Sequence, residues 1–126
     1  MAPTYQTIID HYEECLARHG DSHLGVDWPN PRDAETRYRV MLDVIGAPPV
    51  GPVTLLDFGC GAAHLQEYLT GQGRCDITYV GVDASPKFVE LARRKYPATT
   101  FHCLDVLASE ISLPEVDYIV IAGGLI

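Results

Sequence analysis

The sequence predicts an α/β fold, a doubly wound parallel sheet of about four strands preceded by an N-terminal helical cap. Three observations carry this expectation. From Val53 onward, short apolar runs alternate with stretches of helical periodicity. The first run turns through Gly59 and Gly61 into a helix. Acidic residues, Asp57, Asp83 and Asp105, fall at the ends of three successive strands.

Residues 4–19 set Ile8, Ile9, Tyr12 and Leu16 at helical spacing, and Gly20 follows as a stop. A loop over 21–30 holds the only tryptophan, Trp28. Asn30 then reads as an N-cap with Pro31 at the first helical position. Ala34, Tyr38, Met41, Leu42 and Ile45 continue this second helix along one face. Residues 46–52 contain three prolines and two glycines, a linker composition. The organisation expected is a cap over 1–46, a linker over 47–52 and a sheet-bearing half-domain over 53–126, together one compact unit.

The strand at 53–58 is short, apolar and followed by glycines. Leu65, Tyr68 and Leu69 give 62–69 a helical period, and 77–82 forms a second strand broken only by Gly81. Ser85 caps the next helix, Pro86 opens it, and Phe88, Leu91 and Ala92 face inward. Strands over 99–104 and 117–122 complete the pattern. Alternation of this kind pairs strands in parallel, with helices on the sheet faces.

A chain of 126 residues fits one domain. Its 47% apolar and 21% charged residues are a globular composition. The net charge of -8 argues against a nucleic-acid partner, because phosphate binding needs clustered cations. The one basic run, Arg93-Arg94-Lys95, reads as a solvated helix face. No apolar stretch reaches bilayer length and no signal peptide opens the chain, so no membrane partner is expected. Cys15, Cys60, Cys75 and Cys103 show no metal-ligand spacing, which favours reduced thiols, a cytoplasmic location and no metal site.

The chemistry concentrates in Leu55-Leu56-Asp57-Phe58-Gly59-Cys60-Gly61-Ala62-Ala63. Glycines here let backbone approach a bulky ligand, and the helix that follows offers free N–H groups. Dinucleotide enzymes use a related G-x-G-x-x-G/A turn, but His64 at the sixth position is too large for that packing. Asp57 would repel a pyrophosphate and favour an ammonium or sulfonium group. Asp83 at the end of the second strand could accept both hydroxyls of a ribose. Asp105 could meet an adenine amino group.

Taken together, these segments resemble the class I S-adenosylmethionine-dependent methyltransferases, a Rossmann-like family, over roughly 53–124. Asp57-Phe58-Gly59-Cys60-Gly61 resembles the family's glycine-rich motif under the methionine part of the cofactor. Val80-Gly81-Val82-Asp83 resembles its second motif, which implies that Asp83 with the adjoining Ala84 holds the ribose. His102-Cys103-Leu104-Asp105-Val106 resembles the adenine-contacting segment, with Asp105 and Val106 the matching positions. Val116-Asp117-Tyr118-Ile119-Val120-Ile121-Ala122-Gly123 resembles the fourth strand, which places Ala122 and Gly123 near the transferring methyl group. The family often has glycine where this chain has Ala63.

The resemblance implies S-adenosylmethionine or S-adenosylhomocysteine as ligand, transfer of a sulfonium methyl, and a small-molecule acceptor. His11, His19, His23, Tyr5 and Tyr12 are candidate general bases by location alone, with packing or surface roles the ordinary expectation for each. The family's sheet usually has seven strands, so the chain reads as a truncated, N-terminal portion. Its fourth strand is apolar throughout, the pattern of a strand covered on both faces. Its bare edge suggests a homodimer pairing two such strands across a two-fold axis. The competing reading is a non-catalytic methyltransferase-like binding or scaffold module. A nicotinamide-dependent oxidoreductase is a weaker third.

Overall fold

The computed structural model describes residues 5–21, 31–43, 45, 52–104 and 113–121. The elements are α1 (Tyr5–His19), α2 (Pro31–Asp43), β1 (Val53–Phe58), α3 (His64–Gly71), β2 (Ile77–Asp83), α4 (Pro86–Lys95), β3 (Thr100–Cys103) and β4 (Tyr118–Ile121). The strands form one sheet in the order β3-β2-β1-β4, and every pair is parallel. Succession runs outward from β1 to β3, then β4 returns to the far side of β1. The carboxyl edge at that reversal is where open α/β sheets place ligands.

Burial explains why these runs become strands. Leu55, Leu56 and Asp57 are all buried, as expected of a central strand with both faces covered. In β2, Ile77 and Tyr79 are buried around an exposed Thr78, and Gly81, Val82 and Asp83 are all buried at its far end. One core joins Leu55, Tyr79 and Phe101 of the sheet to Leu65 and Leu69 of α3, Val89 and Ala92 of α4, and Tyr38 and Leu42 of α2. Each of the Leu, Val and Phe side chains among them contributes about 1.5–3 kcal/mol when fully buried.

In α4, Ser85 is extended and its Oγ accepts from Phe88 N at 3.3 Å, the expected N-cap, with Pro86 next. A cap of this kind stabilises by about 1 kcal/mol. The inward face is Phe88, Val89 and Ala92, with Leu91 only half-buried. The expectation for Leu91 is therefore corrected to Val89. The basic run also divides. Arg93 and Arg94 are exposed, whereas the Lys95 side chain is only 19% exposed.

Two further expectations change. Helix α3 starts at His64 and not at residue 62, because Ala63 is left-handed at φ 61. Alanine's helix propensity hid that turn. Strand β4 lies at the edge of the sheet, beside β1. Its Tyr118 and Val120 pack on the core, while Ile119 and Ile121 are 54% and 52% exposed. The described residues thus cover one face of it, not both. At the opposite edge, Arg93 Nη2 donates to Phe101 O at 2.9 Å, which occupies an outward-facing carbonyl of β3.

Candidate functional site

Register positions the site. Phe58 pairs with Val82, so β2 runs one residue beyond β1 and brings Asp83 level with the glycine turn. The turn over 59–63 carries φ values of 79, 54 and 61 at Gly59, Gly61 and Ala63. Gly59 N and Cys60 N both donate to Val82 O, at 2.8 and 2.9 Å, and Ala63 N donates to Cys60 O at 2.9 Å. Among the described residues, a Cβ on Gly59 would meet no atom within 4 Å. Ala63 lacks glycine's freedom at its left-handed φ and stores strain of about 1–2 kcal/mol.

Asp83 is buried and braces this turn. Its Oδ2 accepts from Gly61 N at 2.9 Å and its Oδ1 from Ser85 N at 2.9 Å. Burial pushes its pKa up, backbone hydrogen bonds from Ser85, Gly61 and Ala84 pull it back, and Glu13 of α1 raises it further. Glu13 itself accepts a short hydrogen bond from Ser85 Oγ.

Asp57 lies deeper, 1% exposed. The Tyr79 hydroxyl donates to its Oδ2 at 2.5 Å, and its Oδ1 has no hydrogen-bond partner. Burial drives its pKa up to about 7, against the lowering effect of Tyr79 and with added repulsion from Asp83. In this structure it acts on the turn through its field and its bond to β2, without a solvent-facing oxygen.

Of the residues expected at the site, the structure brings Asp57, Phe58, Gly59, Cys60, Gly61, Asp83 and Ala84 together at the carboxyl edge of β1 and β2. Asp105, Val106, Ala122 and Gly123 lie outside the described residues. So do His23 and the side chain of Tyr5. His11 stands edge-on to Tyr12 at 5.5 Å, and His19 is exposed. Sequence reasoning missed the partners Tyr79, Glu13 and Asp21. Only tertiary structure joins them to the turn, and no local motif marks them.

A parallel sheet with a left-handed glycine turn and a buried strand-end carboxylate beside it is an α/β arrangement of the Rossmann-like class. The family profile of the methyltransferase domain matches residues 55–126, more than half of the chain, and the protein belongs to that family. No curated protein matches it. Among solved structures it is similar to the cyclase SpnF, with 20% identity and a TM-score of 0.63 over 94% of this chain and 48% of that one. It is also similar to the plantazolicin methyltransferase BpumL in complex with S-adenosylhomocysteine, with 20% identity and a TM-score of 0.53 over 93% and 48%. A TehB-like S-adenosylmethionine-dependent methyltransferase from Corynebacterium glutamicum matches at 25% identity and a TM-score of 0.48 over 75% and 56%. The chain spans about half the length of the solved structures it matches. Among the described residues, no helix is long and apolar enough to cross a membrane.

Proposed function

We propose that the chain binds S-adenosylmethionine, or its demethylated product, at the glycine turn and Asp83, as the cofactor-binding part of a methyltransferase acting on a small-molecule acceptor. The observation carrying this reading is the turn itself. Gly59 has no described residue within 4 Å of a Cβ position and a φ that favours glycine, directly beside a buried carboxylate. The donor set fits the ligand. Acceptor oxygens on Asp83 suit ribose hydroxyls, and a carboxylate beside the turn disfavours a phosphate there.

Asp57, Phe58, Gly59, Cys60 and Gly61 would lie under the methionine part, with Asp83 and Ala84 at the ribose. Asp105 and Val106 would meet the adenine, with Ala122 and Gly123 near the methyl group. The bound cofactor supplies an electrophilic methyl for displacement by a nucleophile. The chain's own residues align it and keep water away. A carboxylate has about four lone-pair sites, so Asp83 can accept ribose hydroxyls beside its bonds from Gly61 N and Ser85 N.

Saturating ligand, at a hundredfold over its dissociation constant, should stabilise the folded chain by roughly 2.7 kcal/mol, measurable as a rise in melting temperature. Asp83→Ala should remove most of that rise. Folded wild type whose melting is unmoved by either ligand would count decisively against the reading.

Exposed Ile119 and Ile121 on β4 favour a second reading, a non-catalytic binding or scaffold module. Its extreme form is a homodimer with β4 edges paired. Light scattering that returns a monomer at all concentrations excludes the dimer, and methyl transfer to any acceptor excludes the module.

A further inference from the structure

The glycine turn is held from outside the sheet as well as from within it. Lys95, the last residue of α4, donates to Ala62 O at 2.7 Å and reaches Asp21 Oδ2 at 2.8 Å. The other oxygen of Asp21 accepts from His64 Nε2 at 2.7 Å. A carboxylate only accepts, so Nε2 carries the proton. His64 directly follows Ala63, the left-handed residue. One carboxylate therefore grips two side chains, and both bear on residues 62–64.

The grip is largely withdrawn from water. The side chains of His64, Lys95 and Asp21 are 18%, 19% and 33% exposed, so salt screens them less than an open surface pair. Burial pushes the Asp21 pKa up, but hydrogen bonds from Lys95 and His64 more than offset it and hold the carboxylate ionised. Glu67, the other carboxylate near Lys95, is 66% exposed and stands 3.9 Å away. Asp21 lies just past the end of α1, after a turn at Gly20 with φ 66.

We propose that Asp21 is a positioning residue for cofactor binding: through His64 and Lys95 it fixes the exit of the glycine turn, so that the seating of α1 and the shape of the turn are coupled. This rests on the reading of that turn as the S-adenosylmethionine receiver. The left-handed Ala63 explains why a grip is needed. A residue with a Cβ relaxes out of that conformation unless its surroundings hold it there. Coupling of this kind typically changes affinity five- to 150-fold.

The test is amide hydrogen exchange on the ligand-free chain, followed at Gly61 and Ala63, whose N–H groups donate to Asp83 and to Cys60 O. In Asp21→Ala their exchange should quicken about tenfold while β1 and β2 stay unchanged. The dissociation constant for S-adenosylhomocysteine should rise about tenfold, and Asp21→Glu should recover part of both effects. Glu14→Ala, which removes an exposed pair with Arg18 on the same helix, should change neither. Should Asp21→Ala fail to fold, Asp21→Asn carries the same comparison. Wild-type exchange at Gly61 and Ala63 in the variant overturns the proposal whatever the ligand does. An equal quickening throughout β1 and β2 overturns it too, since that marks a general loss of stability. A wild type that binds neither ligand defeats the cofactor reading instead, and the exchange comparison still decides the grip.

Discussion

Asp57→Asn should be more stable than the wild type above pH 7, with an advantage that shrinks as the pH falls and levels off near pH 4. The cause is a carboxyl whose folded pKa is raised from 3.8 to about 7 by burial. Between those values the unfolded chain gives up the proton and the folded chain keeps it. Stability from this group is therefore complete below about pH 4 and is lost as the pH rises through about 7. A displacement of that size corresponds to roughly 4 kcal/mol against the charged form. Asparagine holds no charge to bury. Its amide nitrogen replaces an orphan acceptor with an orphan donor, at a cost of about 1–3 kcal/mol that does not vary with pH. The signature is thus the slope of the difference between the two proteins, read by urea denaturation from pH 4 to pH 8. A difference that stays flat over that range removes the burial argument. Tyr79→Phe, which deletes the hydroxyl donor to the carboxylate, should move the upper end of the window still higher.

Gly81→Val should be among the most damaging single substitutions in the sheet. A Cβ at Gly81 would stand 2.6 and 2.8 Å from two ring carbons of Phe101 and 3.0 Å from Cys60 Sγ. Phe101 is 4% exposed, on β3 directly opposite Gly81, so its ring can yield only by displacing its neighbours in the core. Even Gly81→Ala should lose about 1–3 kcal/mol by overpacking, and valine more. Phe101→Leu in the same chain should return part of the loss. That leaves a coupling of at least about 0.5 kcal/mol in a double-mutant cycle by thermal or urea unfolding. Additive losses would place the damage elsewhere.

Gly81 also shows what the sequence could and could not tell. As sequence it is a blemish in an apolar run; its reason is a ring on a neighbouring strand twenty residues later. Strand β1 was legible because burial on both faces leaves a short apolar run, and it is read to its last residue. The cap of α4 was legible because Ser85-Pro86 encodes it locally. The start of α3 was not, since two alanines favour a helix, and the left-handed turn at Ala63 is set by contacts with Cys60 O, Val82 O and the Lys95 side chain that no local pattern encodes. The strand-end position of Asp83 followed from pattern, but its bonds to Gly61 and Ser85 did not. Nor did the grip of Asp21, whose partners lie 43 and 74 positions away.

The two margins of the sheet are unlike. At β3 a guanidinium sits on an outward carbonyl, while β4 carries two exposed isoleucines and, among the described residues, adjoins only β1. Any strand added in trans, whether from a peptide, a complementing fragment or a fusion partner, should therefore dock beside β4.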